Sequence, residues 1–199
     1  MNLQKYQYCL DKIYSKYNFI KAVENRKSEN YSEYTLDSLS VQFRKMVELF
    51  ILGISLVHNE ALVKAQYYFE YNCSGKRLFG GLEGINKKNF PYSVAKNNYI
   101  DRSKLHNFFE KSSHILHITN PFLLKSQKNT AKKVKKIFLM ADEFIEMLNQ
   151  HKITLYNGDV LVYERDDQNQ SSLKIISFED ILRENKNTLD GTETLTLKF

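Results

Sequence analysis

The stretch from Val41 to Val57, VQFRKMVELFILGISLV, constrains the fold most, because it is apolar on every side of a helix and still carries an arginine and a glutamate. Phe43, Met46, Val47, Phe50, Ile54 and Val57 recur at spacings of three and four, and Leu49, Ile51, Leu52 and Leu56 make the opposite side apolar too. A helix of that kind belongs in the middle of a bundle. Its nine uncharged residues from Leu49 to Val57 fall short of the roughly 18 to 20 that a membrane span needs, and Glu48 closes the run. The expected surroundings are protein, with no membrane partner. Arg44 and Glu48, four residues apart, share one side of this helix, where a charge is costly unless it is paired. Two readings follow: an intrahelical ion pair, or an anchor for polar side chains from a facing helix, with His114, His117 and Asn120 as the candidates.

Other helices are placed around this one by the same periodicity. Leu3, Tyr6, Leu10, Ile13, Tyr17 and Ile20 predict a first helix over residues 3 to about 24, packed on the central one. The polar run Glu24 to Tyr34 reads as a connector, with Thr35 or Asp37 capping a second helix over about 36 to 57. A third helix restarts at Asn59, with Leu62, Ala65, Tyr68 and Phe69 on one face. From Cys73 to Tyr92 Gly and Asn interrupt the pattern, and Gly80-Gly81 lacks phosphate-loop spacing, so it reads as packing or a hinge. Asp101 caps a helix whose inward stripe is Leu105, Phe108, Phe109, Ser112, Ile115 and Leu116, ended by Asn120-Pro121. The last long helix presents Val134, Ile137, Phe138, Ala141, Phe144, Ile145 and Leu148 inward.

After Gln150 the period changes from 3.6 to 2. Ile153 to Tyr156, Asn157-Gly158 and Asp159 to Glu164 predict a hairpin with a two-residue turn, followed by a strand over 173–178, a short helix over 177–185 and a strand over 192–199. The expected fold class is therefore mainly α: an antiparallel bundle of five or six helices over residues 1–150 with a small antiparallel β-sheet appendage over 151–199.

The 42% hydrophobic content of 199 residues fits a folded domain plus a small appendage, and two Pro and seven Gly favour long regular elements. No secretion leader is read, so Cys9 and Cys73 are expected to be reduced structural thiols of a cytoplasmic protein. The net charge of +6 is compatible with an RNA or an acidic protein partner. Its densest spot is Lys128, Lys132, Lys133, Lys135 and Lys136 at the start of the last long helix, read either as a solvated face or as a phosphate-contacting patch. Lysines there oppose the helix macrodipole, so helix stability does not account for them. His114 and His117 lack Asp, Glu or Cys at ligand spacing, so neither metal nor cofactor is expected. Near neutral pH His117 could move a proton while Arg44 and Asn120 hold a phosphate, with Glu48 paired to Arg44; metal-free RNA cleavage requires these functions.

FRKMVEL (43–49), KRL with EGIN and NFP (76–91) and LHITNPF (116–122), before a basic helix and a β-hairpin, resemble the motifs of a family of uncharacterised bacterial proteins over most of the chain. The central Arg-bearing helix and late His and Asn are also similar to the HEPN-like helical domains of bacterial defence and toxin systems, many of them dimeric metal-independent ribonucleases. In that signature an Arg precedes a His on one helix by four to six intervening residues; here Arg102 and His106 are separated by three, and Lys111 takes the Arg position relative to His117. The resemblance thus implies a non-catalytic, self-associating interaction module, in which Arg44, Glu48, His117 and Asn120 form a buried polar network. The alternative is a ribonuclease drawing its positive charge from Arg44, with the lysines guiding RNA.

Overall fold

The central helix is α2, Glu33–Val57, in a computed structural model that describes residues 3–26, 31–58, 85, 87–94, 98–116, 127–165 and 171–189. It begins three residues earlier than its apolar periodicity suggests because Ser32 caps it: the Ser32 hydroxyl accepts from the backbone N–H of Thr35 at 3.1 Å. Thr35 and Asp37, the expected caps, lie inside the helix, as its third and fifth residues. Helix α1, Leu3–Glu24, packs along α2 through Tyr6, Leu10, Ile13 and Ile20, all fully buried. Helices α3, Arg102–Leu116, and α4, Gln127–Leu148, close the other side of α2. Phe43, Phe108 and Phe144 meet edge to face with ring centroids 5.6 to 6.1 Å apart, one ring from each of α2, α3 and α4. Among the described residues no helix is long and apolar enough to cross a membrane.

Leu49, Leu52 and Leu56 are only half-buried, so one side of α2 is open where its sequence reads apolar all round. The third helix expected from Asn59 and the strand over 192–199 lie outside the described residues.

Among the described residues the β-sheet has five strands in the order β2-β1-β3-β4-β5, every pairing antiparallel. Strands β3, Gln150–Thr154, β4, Val160–Arg165, and β5, Ser171–Ile176, form the expected meander, followed by α5, Phe178–Leu189. Two short strands, β1, Tyr92–Ser93, and β2, Asn98–Tyr99, extend it from between the helices, with Tyr92 opposite Lys152 and Ser93 opposite His151. Two-residue strands carry too little alternation to be seen in sequence.

The turn between β3 and β4 differs from the expected two-residue type. Leu155 N–H donates to the Asp159 carbonyl at 2.8 Å, and Gly158 N–H to the Leu155 carbonyl at 3.1 Å, which leaves three residues in the loop and Gly158 at φ 90°. This is the three-residue hairpin that ends in a left-handed bulge residue, a conformation glycine adopts without steric cost. Asp159 then caps the next element: its carboxylate accepts from the backbone N–H of Phe178 at 2.9 Å, and Ser177 accepts from Asp180 N–H at 3.1 Å at the start of α5. Helices and sheet share one hydrophobic core, in which Leu148, Ile153, Leu161 and Tyr163 join Tyr6 and Phe50.

Candidate functional site

Arg44 and Glu48 lie one turn apart on α2, both partly buried. The Arg44 Nε donates to Glu48 Oε1 at 2.9 Å, with both side chains little more than a quarter exposed. The guanidinium also lies over the ring of Phe109, 4.5 Å from its centroid, so the arginine bridges α2 to α3 through an aromatic face. The intrahelical ion pair is thus present, and the group α3 supplies to Arg44 is a phenylalanine. His114, on α3, is exposed. His117 and Asn120 lie outside the described residues, as does the Lys128 side chain. On α4, Lys132, Lys135 and Lys136 are exposed and Lys133 is half-buried, on the side away from buried Val134, Ile137, Phe138 and Ala141.

One of the deeply buried polar groups is a histidine that was not among the candidates from the sequence. His151, on β3, is 1% exposed and sits among Tyr6, Phe50 and Tyr163, whose ring centroids lie 5.0 to 6.1 Å from its own. Its Nδ1 lies 2.8 Å from the Leu148 carbonyl and its Nε2 2.5 Å from the Tyr6 hydroxyl. A carbonyl only accepts, so Nδ1 carries the proton and the Tyr6 hydroxyl donates to Nε2. Burial pushes the imidazole pKa down to about 4, against the smaller opposing effect of the Leu148 carbonyl, and burial raises that of Tyr6. The pair is therefore neutral at physiological pH, with the His151 Nε2 lone pair already taken by the Tyr6 hydroxyl. Its signal was present in the alternation: β3 buries His151 and Ile153 and exposes Gln150 and Lys152. Starting the strand at Ile153 hid the histidine.

A second histidine ties the end of α2 to the sheet. His58 caps α2 with its backbone N–H on the Ile54 carbonyl, and its Nε2 donates to the Asn89 carbonyl at 2.9 Å. The Asn89 side-chain amide in turn donates to the Thr154 carbonyl at 2.9 Å. Asn89, Phe90 and Pro91, the NFP motif, are all buried; Arg102 lies over the Phe90 ring at 4.6 Å and donates to the Ile85 carbonyl. Each of these polar groups fixes one backbone segment against another. Burial lowers the His58 pKa, with the bond to Asn89 opposing.

Beside His151, Tyr14 donates to Asn149 Oδ1 at 2.9 Å and takes the Arg165 guanidinium on its ring, 3.5 Å from the centroid. Cys9 is buried, and burial pushes its thiol up to about 11, which leaves it unreactive as a nucleophile. Among the described residues no group of three His, Cys, Asp or Glu side chains could hold a metal ion. The polar interior can position and lock; among the described residues, the buried His58 and His151 make contacts that fix backbone. No family model, no curated protein and no solved structure matches the chain.

Proposed function

We propose that the chain is a HEPN-like interaction module of a bacterial or phage-related defence system, non-catalytic and self-associating. The observation that carries the non-catalytic reading is the engagement of Arg44. Its charge is held between Glu48 at 2.9 Å and the Phe109 ring at 4.5 Å, so it acts as a strut between α2 and α3, where a ribonuclease would need it on a phosphate. Placement in a defence system rests on the similarity of the central Arg44-bearing helix and the late His117 and Asn120 to HEPN-like helical domains.

Self-association is supported by the sheet edge. Among the described residues β5 ends the sheet, and edge strands offer unpaired backbone to another chain. Ile175, Phe178 and Leu182, on β5 and the first turns of α5, are 43 to 47% exposed and extend that edge with apolar surface.

The test combines cleavage with mass. Wild type and His117→Ala, incubated with mixed RNA in EDTA, are expected to leave the RNA intact, and light scattering is expected to give wild type a mass above that of one chain. Ile175→Lys with Leu182→Lys should return it to a single chain. Cleavage by wild type but not by His117→Ala would replace this reading with the ribonuclease, and a wild type that stays monomeric at high concentration would refute self-association.

A further inference from the structure

The open side of α2 faces α1 across a groove of about 320 Å³, lined by Tyr8, Lys12 and Lys16 from α1 and by Lys45, Glu48, Leu49 and Leu52 from α2. Sequence fixes this arrangement simply: Tyr8, Lys12 and Lys16 follow one another at intervals of four, one helical turn each, so they stand in a row. The charge in the groove is unbalanced. Glu48 is the one carboxylate among the described lining residues, and it is bound to Arg44. Lys12, Lys16 and Lys45 have no carboxylate partner among the described residues; Lys16 donates to the Gln42 side-chain carbonyl at 3.2 Å, and the Lys12 ammonium lies over the Tyr8 ring, 5.2 Å from its centroid. Their crowding is felt at Lys16, whose pKa is lowered by burial first and then by Lys45 and Lys12. An anion entering the groove would relieve that repulsion.

Two further features narrow the chemistry. The floor, Leu49 and Leu52, is apolar and half-buried, and the Tyr8 side chain at the rim is 59% exposed. A row of ammonium groups beside an exposed aromatic ring, with Lys12 over one of its faces, is the combination by which single strands are held: phosphates on the cations, a base stacked on the ring. An acidic peptide would use the lysines and leave the tyrosine face without a role. We infer that the α1–α2 groove binds single-stranded nucleic acid, with its phosphates on Lys12, Lys16 and Lys45 and a base on Tyr8. The net charge of +6 assists encounter with such a polyanion.

Fluorescence anisotropy of a short labelled oligouridylate, titrated with full-length protein across a salt series, tests this. Wild type should bind with an affinity that falls as salt rises. Lys12→Gln, Lys16→Gln and Lys45→Gln together should lower the slope of log affinity against log salt by about 2, at ~0.7 per phosphate neutralised on a single strand. Tyr8→Ala should weaken binding about tenfold with the slope unchanged, and Tyr8→Phe should retain it. Tyr8, Lys12 and Lys45 are exposed and Lys16 is partly so, and an unchanged thermal melt verifies that each variant is folded. Absence of wild-type binding at low salt, or binding indifferent to the groove substitutions, would overturn the proposal. Binding that needs the lysines but not Tyr8, and that polyglutamate displaces equally well, would overturn it in favour of an acidic protein segment.

Discussion

Acidification should loosen this fold through His151 before the carboxylates have titrated. Burial lowers its pKa from the ordinary 6.5 to about 4, so between those values the unfolded chain binds a proton that the folded chain refuses. The sign follows from that difference. The stability contributed by a neutral His151 is fully present above pH 6.5, falls as the pH drops through the window, and is exhausted below about pH 4. At ~1.4 kcal/mol per pH unit the whole effect is roughly 3 kcal/mol, within a typical domain stability of about 5–15 kcal/mol. Roughly 2 kcal/mol of it should already be lost between pH 7 and pH 5, a range above the ordinary carboxylate values. Tyr6 and Tyr163, the titratable groups against the imidazole, have raised pKa values and stay neutral throughout. His58, also lowered by burial, adds a contribution of the same sign. The assay is urea unfolding in pH steps from 7 to 5, wild type beside His151→Gln, whose amide does not titrate. The variant should be less stable at pH 7, and its deficit should shrink by roughly 2 kcal/mol at pH 5. Parallel curves for the two proteins would refute the assignment of a neutral, buried His151.

Gly53→Ala would place a Cβ 2.9 Å from Cδ2 and Cε2 of Tyr6, a ring held by its bond to His151, and should cost about 1–3 kcal/mol in urea unfolding. Gly158→Ala forces a side chain onto φ 90° against Phe178 at 3.1 Å and should cost about 1–2 kcal/mol or more, read as a lower thermal midpoint. Ser32→Ala removes the α2 cap and should cost about 1 kcal/mol in the same melt, with oligomeric mass unchanged. Arg44→Lys keeps a positive charge near Glu48 but loses the planar face on Phe109; at this partly exposed position urea unfolding should show a loss below about 1 kcal/mol.

Long periodic segments were legible because burial and helical spacing repeat over several turns. The inward residues of α1, α2 and α4 follow directly from spacings of three and four, and the β3–β4–β5 meander follows from the switch to a period of two. Features set by one or two residues were not. The cap at Ser32 lies outside the apolar pattern, β1 and β2 are too short to alternate, and the hairpin loop depends on a conformation at Gly158 that Asn-Gly leaves open. At the candidate site, the Arg44–Glu48 pair was visible from its spacing, whereas the Phe109 face is a tertiary contact between helices. The groove was not legible for a related reason. Tyr8, Lys12 and Lys16 look like an ordinary solvated stripe until α2 brings Lys45 and two half-buried leucines alongside.

The bond from Tyr6 to His151 joins residues 145 positions apart, and it sets a timetable for the nascent chain. At a synthesis rate of about 5–20 residues per second, α1 leaves the ribosome roughly 7 to 30 s before its acceptor does. During that interval the hydroxyl of Tyr6 has no imidazole to meet, and β1, paired with β3 across some sixty residues of chain, has no neighbour on that side. Helices α1 and α2 can associate early through local contacts, but their apolar faces toward the sheet stay uncovered until residues near 163 emerge. Completion of the core is therefore a late, non-local event that slows folding and leaves sticky surface in the interim, the condition in which a nascent chain depends most on chaperones.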